Sequence, residues 1–434
     1  MVESLTPAVV TEVLRAHLDP LLECATVERG PIGNAQEVWF VDTFAPGGAD
    51  RQFVLRRSAG GGALEDSELG LEFTVIGALA ARGFPVPRVY FSELDSSSLG
   101  RPYFVMDRVP GTPVGHISPA DRASVARELG GWLARLHAVD SAELAPSAER
   151  SEGTASATRR ELARWEQVYL RRRPGPVPLL GALLAWLGVH IPADDGPPRL
   201  LWGDAGPHNI LVDGPRITGL LDWELAHVGD PLEDLGAAMW ACLPGTLDPD
   251  EVVAGYEREG GPVDRERLRY FEAFACAIRS VMVVAGVDAF LKGEAGPPAA
   301  ALGQHLLLAN LERAAELIGW ARDPGDRAAP PALRPDASET AAGVARYLRE
   351  RTVPAVSDPR ARRELRTAAA LLDTVALRAR PDVGNDDLAL EDAAARAERD
   401  RTPARAGLRS RLLAGLAAQQ GMIKPLDDLY RPRG

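Results

Sequence analysis

Apolar residues recur at helical spacing in the first ~20 positions, where Val9, Val10, Val13, Leu14 and Leu18 predict a short helix. The rhythm then changes. ATVERG and EVWFVDTF read as strands around a loop, PIGNAQ, with Val38, Phe40 and Phe44 sharing a face at period two apart from one slip. RQFVLRRS is a third strand, and LGLEFTVIGALAARG is a helix stopped by Gly83. PVPRVYFSELDSS and GRPYFVMDRVPG complete the set as two more strands joined by a Ser-rich turn. Roughly residues 20 to 110 therefore make an antiparallel sheet that carries one helix.

From Pro119 the period lengthens. DRASVARELGGWLARLHAVD puts Val125, Leu129, Trp132, Leu133 and Leu136 on one stripe, and TRRELARWEQVYLRR, VPLLGALLAWLGVH, PLEDLGAAMWACL and DPDEVVAGYERE follow as helices. Two long helices fill 264 to 320, and ARDPGDRAAPPALRPDA after them has the Pro, Gly and Asp content of a linker. Beyond it, Ala361, Leu365, Ala368, Leu372, Val375 and Ala379 mark one amphipathic helix and GLRSRLLAGLAAQQG another.

Length and composition narrow the uses of such a chain. At 434 residues it exceeds one ordinary core. A net charge of −12, with no basic stripe, argues against a nucleic-acid partner. Cys24, Cys242 and Cys276 are too scattered for a disulfide framework. The acidic start lacks a secretory n-region, and apolar runs such as VMVVAGVDAFL fall short of the ~20 residues of a membrane span. The expectation is a cytoplasmic protein with no membrane partner. Lysine occurs only at Lys292 and Lys424, so chemistry that needs a cation in the first half must use arginine.

One short stretch carries chemistry. RLLWGDAGPHNILVDG sets Asp204 five positions before Asn209, and ITGLLDWE follows a Gly214-Pro215 turn and ends a second strand at Asp222. Asn209 begins one strand and Asp222 closes the other, so antiparallel pairing brings the two together. Between a β-rich lobe and a helical lobe, that is the order of parts in a two-lobed kinase. Phosphoryl transfer needs positioning and neutralisation more than covalent help. Asp204 can act as the base, with Asn209 and Asp222 as hard oxygen ligands for magnesium.

WGDAGPHNILVDG followed by LLDWELAHVGDPLEDL resembles the paired signature blocks of the aminoglycoside phosphotransferase family. That family has a protein-kinase-like fold and includes choline-kinase-type enzymes. The resemblance covers roughly residues 20 to 320 and is closest to the branch whose members occur beside, or fused to, acyl-CoA dehydrogenases. It implies an α+β, two-lobed fold: a nucleotide-binding lobe at 1–110 and a helical lobe with the catalytic loop at 111–322. A linker at 323–337 and an all-α domain at 338–434 would be appended.

The resemblance also implies roles by position. Arg56 in FVLRRS stands in place of the family's phosphate-contacting lysine, Glu72 is its helix partner, and Asp230 and Asp234 buttress the loop. Gly30 and Gly33 lie in the phosphate-covering turn, and main-chain groups from Asp107 to Val109 would face the adenine. Met106 beside them reads equally as core. The nucleotide would be ATP or GTP, with Mg2+, and the acceptor a hydroxyl of an aminoglycoside, an amino alcohol or a hydroxyacyl-CoA-like metabolite. Glu224, in an acidic surround, suits a cationic substrate. The helical tail would dimerise the chain, cap the substrate or dock a partner enzyme.

Trp202 departs from the family pattern, which has His there. An indole at that position is expected to keep the packing and lose a hydrogen bond. Together with Arg56 it leaves room for a second reading, a nucleotide-binding pseudokinase acting as a regulatory or scaffold protein. A third, a metal-dependent hydrolase or oxidase, rests on Glu224 and His227 in Glu-x-x-His spacing, and a second such pair is missing. His137 reads as a helix-end residue favoured by the helix dipole.

Overall fold

The structure is a computed structural model. It describes residues 5–30, 36–44, 50–58, 69–95, 97–140, 153–194, 196–242, 246–294, 297–320 and 337–356, with scattered positions from 362 to 413. The linker expected at 323–337 falls almost wholly outside the described residues, as does Gly33. The chain divides into two compact units, one of residues 1–157 and 194–268, the other of 158–193 and 269–434. This division runs across the lobes read from the sequence.

In the first unit, α1 (Pro7–His17) starts at Thr6, whose hydroxyl accepts from the Val9 amide, and Pro7 fills the position where a missing N–H costs nothing. Strands β1 (Glu23–Arg29), β2 (Gln36–Phe44) and β3 (Arg51–Ser58) precede α2 (Leu69–Ala81), and β4 (Val89–Glu93) and β5 (Tyr103–Asp107) follow it. The five strands form one antiparallel sheet in the order β1-β2-β3-β5-β4. Its core gathers Val10, Leu14, Leu22, Val41, Phe53, Leu55 and Tyr103. Helix α2 stops at Gly83, whose φ of 78° is left-handed backbone open to glycine.

Strand β2 corrects the expected face. Glu37, Trp39, Val41 and Thr43 are buried at alternate positions, together with Gln36 at the start of the strand, whereas Phe44 is exposed. Polar residues hide this parity in the sequence, and they are tolerated because each has a partner. Thr43 Oγ1 donates to the Arg51 carbonyl. The Glu37 carboxylate meets Arg57 at 2.7 Å, Arg29 at 3.1 Å and Arg101 at 3.2 Å. Burial alone would raise its pKa, but the Arg57 hydrogen bond and the three guanidinium charges bring it below the ordinary carboxylate value.

Past β6 (Thr112–Pro113) comes α3 (Arg122–His137), then α4 (Thr154–Arg172) and α5 (Pro178–Val189). Strands β7 (Arg199–Leu201), β8 (Ile210–Asp213), β9 (Arg216–Leu220) and β10 (His227–Gly229) precede α6 (Pro231–Ala241) and α7 (Pro249–Gly260). β8 and β9 form the expected hairpin, with β6 on its other edge, and β7 pairs with β10. Helices α3 and α7 meet backbone to backbone. A Cβ at Gly130 would fall 2.0 Å from the Val252 carbonyl oxygen, and one at Gly255 would fall 2.1 Å from that of Arg127.

In the second unit, α8 (Arg265–Leu291) continues from the first, followed by α9 (Pro297–Leu317) and α10 (Ala337–Tyr347). Arg172 pairs with Asp288 and Glu294, and the Tyr270 hydroxyl donates to the Leu187 carbonyl. By length and composition α8 could cross a membrane, contrary to the expectation that every apolar run is too short. Its apolar residues are mostly buried inside the fold, as in a core helix.

Candidate functional site

The hairpin closes as the spacing predicts. Ile210 pairs with Leu220, and the Leu221 amide donates to the Asn209 carbonyl at 2.9 Å, so the last residue before Asp222 is tied to Asn209, which ends a 3-10 turn immediately before β8 rather than beginning the strand. Asn209 Nδ2 donates to Asp204 Oδ2 at 2.9 Å and to the Asp204 carbonyl at 3.1 Å, which fixes the loop carboxylate. His208 Nε2 lies 3.2 Å from Asp204 Oδ1. The phosphotransferase reading of the sequence gave that histidine no part, although its position four residues after Asp204 was visible.

Asp222 alone among the described non-glycine residues has positive φ, at 60°. Left-handed backbone at a residue with a Cβ costs on the order of 1 kcal/mol and concentrates at functional sites. Its carboxylate is about a third exposed and is held from the small lobe: Arg56 Nη1 and Nη2 both donate to Asp222 Oδ1 at 3.0 Å. Arg56 also lies 3.0 Å from Glu72 and 3.1 Å from Glu224. One buried guanidinium thus gathers three carboxylates, two of them on the far side of the chain in sequence.

Such a cluster is electrostatically unbalanced. Burial of Arg56 disfavours its charge, yet Glu72, Asp222 and Glu224 hold it protonated more firmly than usual. Burial, with Asp222 nearby, pushes the Glu72 carboxyl up despite Arg56, and neither Glu72 oxygen has a well-aligned hydrogen bond. Burial and the Asp222 charge push Glu224 up to about 8.

A raised carboxyl pKa binds a proton in the folded state that the unfolded chain has released. The stabilisation is complete below the unfolded value near 4.5 and is lost as pH rises through about 8. The free protein should therefore show a thermal midpoint that falls from pH 5 to pH 8, and Glu224→Gln should flatten that fall. Parallel profiles for the two proteins would show that Glu224 does not titrate in this window.

Behind the loop, Asp234 is fully buried at the first turn of α6. It accepts from the Trp202 amide at 2.8 Å, the Gly203 amide at 2.8 Å and His137 Nε2 at 3.1 Å. His137 is therefore a buried strut, bonded also to the Tyr256 hydroxyl at 3.0 Å, rather than simply a helix-end residue. Asp230 caps α6 through the Leu232 amide and pairs with Arg267.

Trp202 corrects the expectation that its indole loses a hydrogen bond. Nε1 donates to the carbonyls of Leu221 and Asp222 at 3.0 and 3.2 Å, and the ring stacks on Trp223 with centroids 5.3 Å apart. Gly203 next to it turns at φ 80°, and a Cβ there would fall 2.2 Å from the Leu225 carbonyl oxygen. Glycine is required for the loop to pass.

The remaining candidates are placed as follows. The Gly30 amide donates to the Val38 carbonyl, extending the β1–β2 pairing by one residue. The Asp107 and Arg108 amides are taken by the carbonyls of Arg88 and Gln52, which leaves the Val109 amide as the N–H donor of the expected adenine-facing stretch, beside its carbonyls. Met106 is buried in β5. Glu224 and His227 do not converge: Glu224 bonds Arg56, whereas His227 Nε2 lies 3.1 Å from Glu233.

The geometry agrees with what the chain is similar to. Residues 26–271 match the model of a phosphotransferase enzyme family. Acyl-CoA dehydrogenase family member 10 of Mus musculus is 27% identical over 253 residues, covering 55% of this chain and 22% of that protein. Family member 11 of Homo sapiens is 30% identical over 194 residues, covering 42% of this chain and 24% of that protein. The chain thus spans about a quarter or less of the length of these relatives. A structure from Ralstonia eutropha, solved as a candidate aminoglycoside phosphotransferase, superposes with a TM-score of 0.57 at 23% identity, over 73% of this chain and 99% of that one. With more than half of its length matched, and with the two-lobed fold that the sequence predicts, the chain belongs to the phosphotransferase enzyme family.

Proposed function

We propose that this protein moves the γ-phosphoryl group of ATP, or GTP, to a hydroxyl of a small molecule. The observation that carries the reading is the convergence of Asp204, Asn209 and Asp222 on one end of the β8–β9 hairpin, with Arg56, itself paired with Glu72, bonded onto Asp222 from the small lobe. The donor set suits a magnesium ion. Asn209 spends its amide nitrogen on Asp204, which leaves its oxygen for a ligand, and Asp222 offers a carboxylate that is partly open. When bound, magnesium would neutralise phosphate charge.

In this mechanism Asp204 takes the proton of the acceptor hydroxyl while the new O–P bond forms and the bond to the β-phosphate oxygen breaks, releasing the nucleoside diphosphate. Asn209 and His208 orient the carboxylate. Arg56 places a cation beside Asp222 where the phosphates would lie, with a planar fork rather than a point charge. The Val109 amide would meet the adenine, and Gly30 would begin the loop that covers the phosphates. Asp230 and Asp234 support the loop from behind. Glu224, bonded to Arg56, positions that guanidinium and is not assigned to substrate.

For the acceptor we favour a hydroxyacyl-CoA-like metabolite, because the relatives named above are acyl-CoA dehydrogenase family members. Amino alcohols and aminoglycosides are the other acceptors to test. An ATP-consumption screen across these three classes with magnesium, read out by the mass of the phosphorylated acceptor, should single out one class. One observation favours a pseudokinase instead: Arg56 spends two nitrogens on the carboxylate that magnesium would need. A flat screen alongside measurable nucleotide binding would establish that reading and overturn ours.

A further inference from the structure

The appended helical region contains a cavity of about 540 Å³, of the size that small organic ligands occupy. Its lining is Arg349, Arg362, Arg366, Val353 and Pro354. Among the described residues, three arginines and an apolar edge line it.

Arg362 and Arg366 stand one turn apart at helical positions, where like charges repel. Neither forms an ion pair with any described residue; Arg362 Nε instead donates to the Val356 carbonyl. Arg349 comes from a different segment, the π-helical turn Leu348–Thr352. π-Turns are rare and frequent at functional sites. Val353, buried immediately after that turn, and Pro354 supply the apolar edge. Arginines from two segments thus line one cavity, and the planar guanidinium matches phosphate oxygens, which accept paired N–H bonds.

We propose that this cavity is a binding site for a phosphorylated small molecule with at least two phosphoryl charges, whose apolar part rests on Val353 and Pro354. The site belongs to the second unit and is independent of the phosphotransferase reading. The helical region would then serve as a ligand-sensing or ligand-holding element.

Inorganic pyrophosphate is the probe. Calorimetric titration of the full chain should show binding that weakens as salt is raised, because the contacts are ionic. The double variant Arg362→Gln, Arg366→Gln should weaken it by at least about tenfold, the scale of one lost charge-assisted contact. Pro354→Glu, which keeps all three arginines and alters only an exposed position, should do the same by placing a negative charge in the wall. Circular dichroism of each variant that matches the parent ties the loss to the site. Pyrophosphate binding at parental strength in both variants would overturn the proposal, as would no binding by the parent. Activity at the hairpin site enters neither outcome, so failure here leaves the phosphotransferase reading untouched.

Discussion

Asp204→Asn slows phosphoryl transfer by about 10²–10⁴-fold, the usual scale for loss of a general base, while nucleotide affinity and thermal midpoint stay near those of the parent. The substitution is chosen to change protonation chemistry and little else. Asp204 Oδ2 accepts from Asn209 Nδ2, and an amide oxygen at the same place can still accept it. The side chain is mostly shielded, so no new surface is exposed. What the amide cannot do is take a proton from an acceptor hydroxyl. The measurement is the turnover of ATP against the acceptor found by screening, with nucleotide binding followed by calorimetry. Equal turnover in variant and parent would remove Asp204 from the base position. Loss of binding together with turnover would instead make it a structural residue of the loop.

The site was legible in the sequence wherever local order determines geometry. Two apolar strands around Gly214-Pro215 can form only one hairpin that buries both, so the meeting of Asn209 with the start of the Asp222 turn follows from spacing. The small lobe was legible for the same reason, as short strands with turn residues between them, and the family signature placed Arg56 opposite Glu72. Long-range pairing was not legible. Nothing in FVLRRS indicates that Arg56 also reaches Asp222 and Glu224, more than 160 residues later. His137 and Asp234 stand 97 residues apart, and a histidine on the last turn of a helix looks the same whether it faces water or a buried carboxylate. The parity of β2 failed because polar Glu37 and Thr43 occupy the inward positions, where arginine and backbone partners from other strands satisfy them. Period alone assigns apolar residues inward and has no knowledge of those partners.

Trp202→Ala destabilises the protein by roughly 3–5 kcal/mol, the range for removing a large buried aromatic side chain, and this is a large part of the ~5–15 kcal/mol that holds a domain folded. The ring is wholly buried and stacked on Trp223. Packing is only part of what it does. Its Nε1 donates to the carbonyls of Leu221 and Asp222, which are the peptide groups on either side of the strained φ at Asp222. Trp202→Phe separates the two contributions, since it keeps an aromatic ring and removes the donor. It should cost about 1–3 kcal/mol, the penalty for a buried carbonyl left without its bond. It should also lower turnover more than nucleotide affinity, because the Asp222 carboxylate would no longer be held in its left-handed turn. Trp202→His restores a ring N–H with less volume. If the hydrogen bond is what keeps Asp222 placed, His should recover turnover relative to Phe while remaining less stable than Trp. Urea unfolding and steady-state kinetics on the three variants decide this. If Phe and His are equal to the parent in turnover, the indole is packing alone, and the left-handed turn at Asp222 must be held by Arg56 and the Leu221–Asn209 bond.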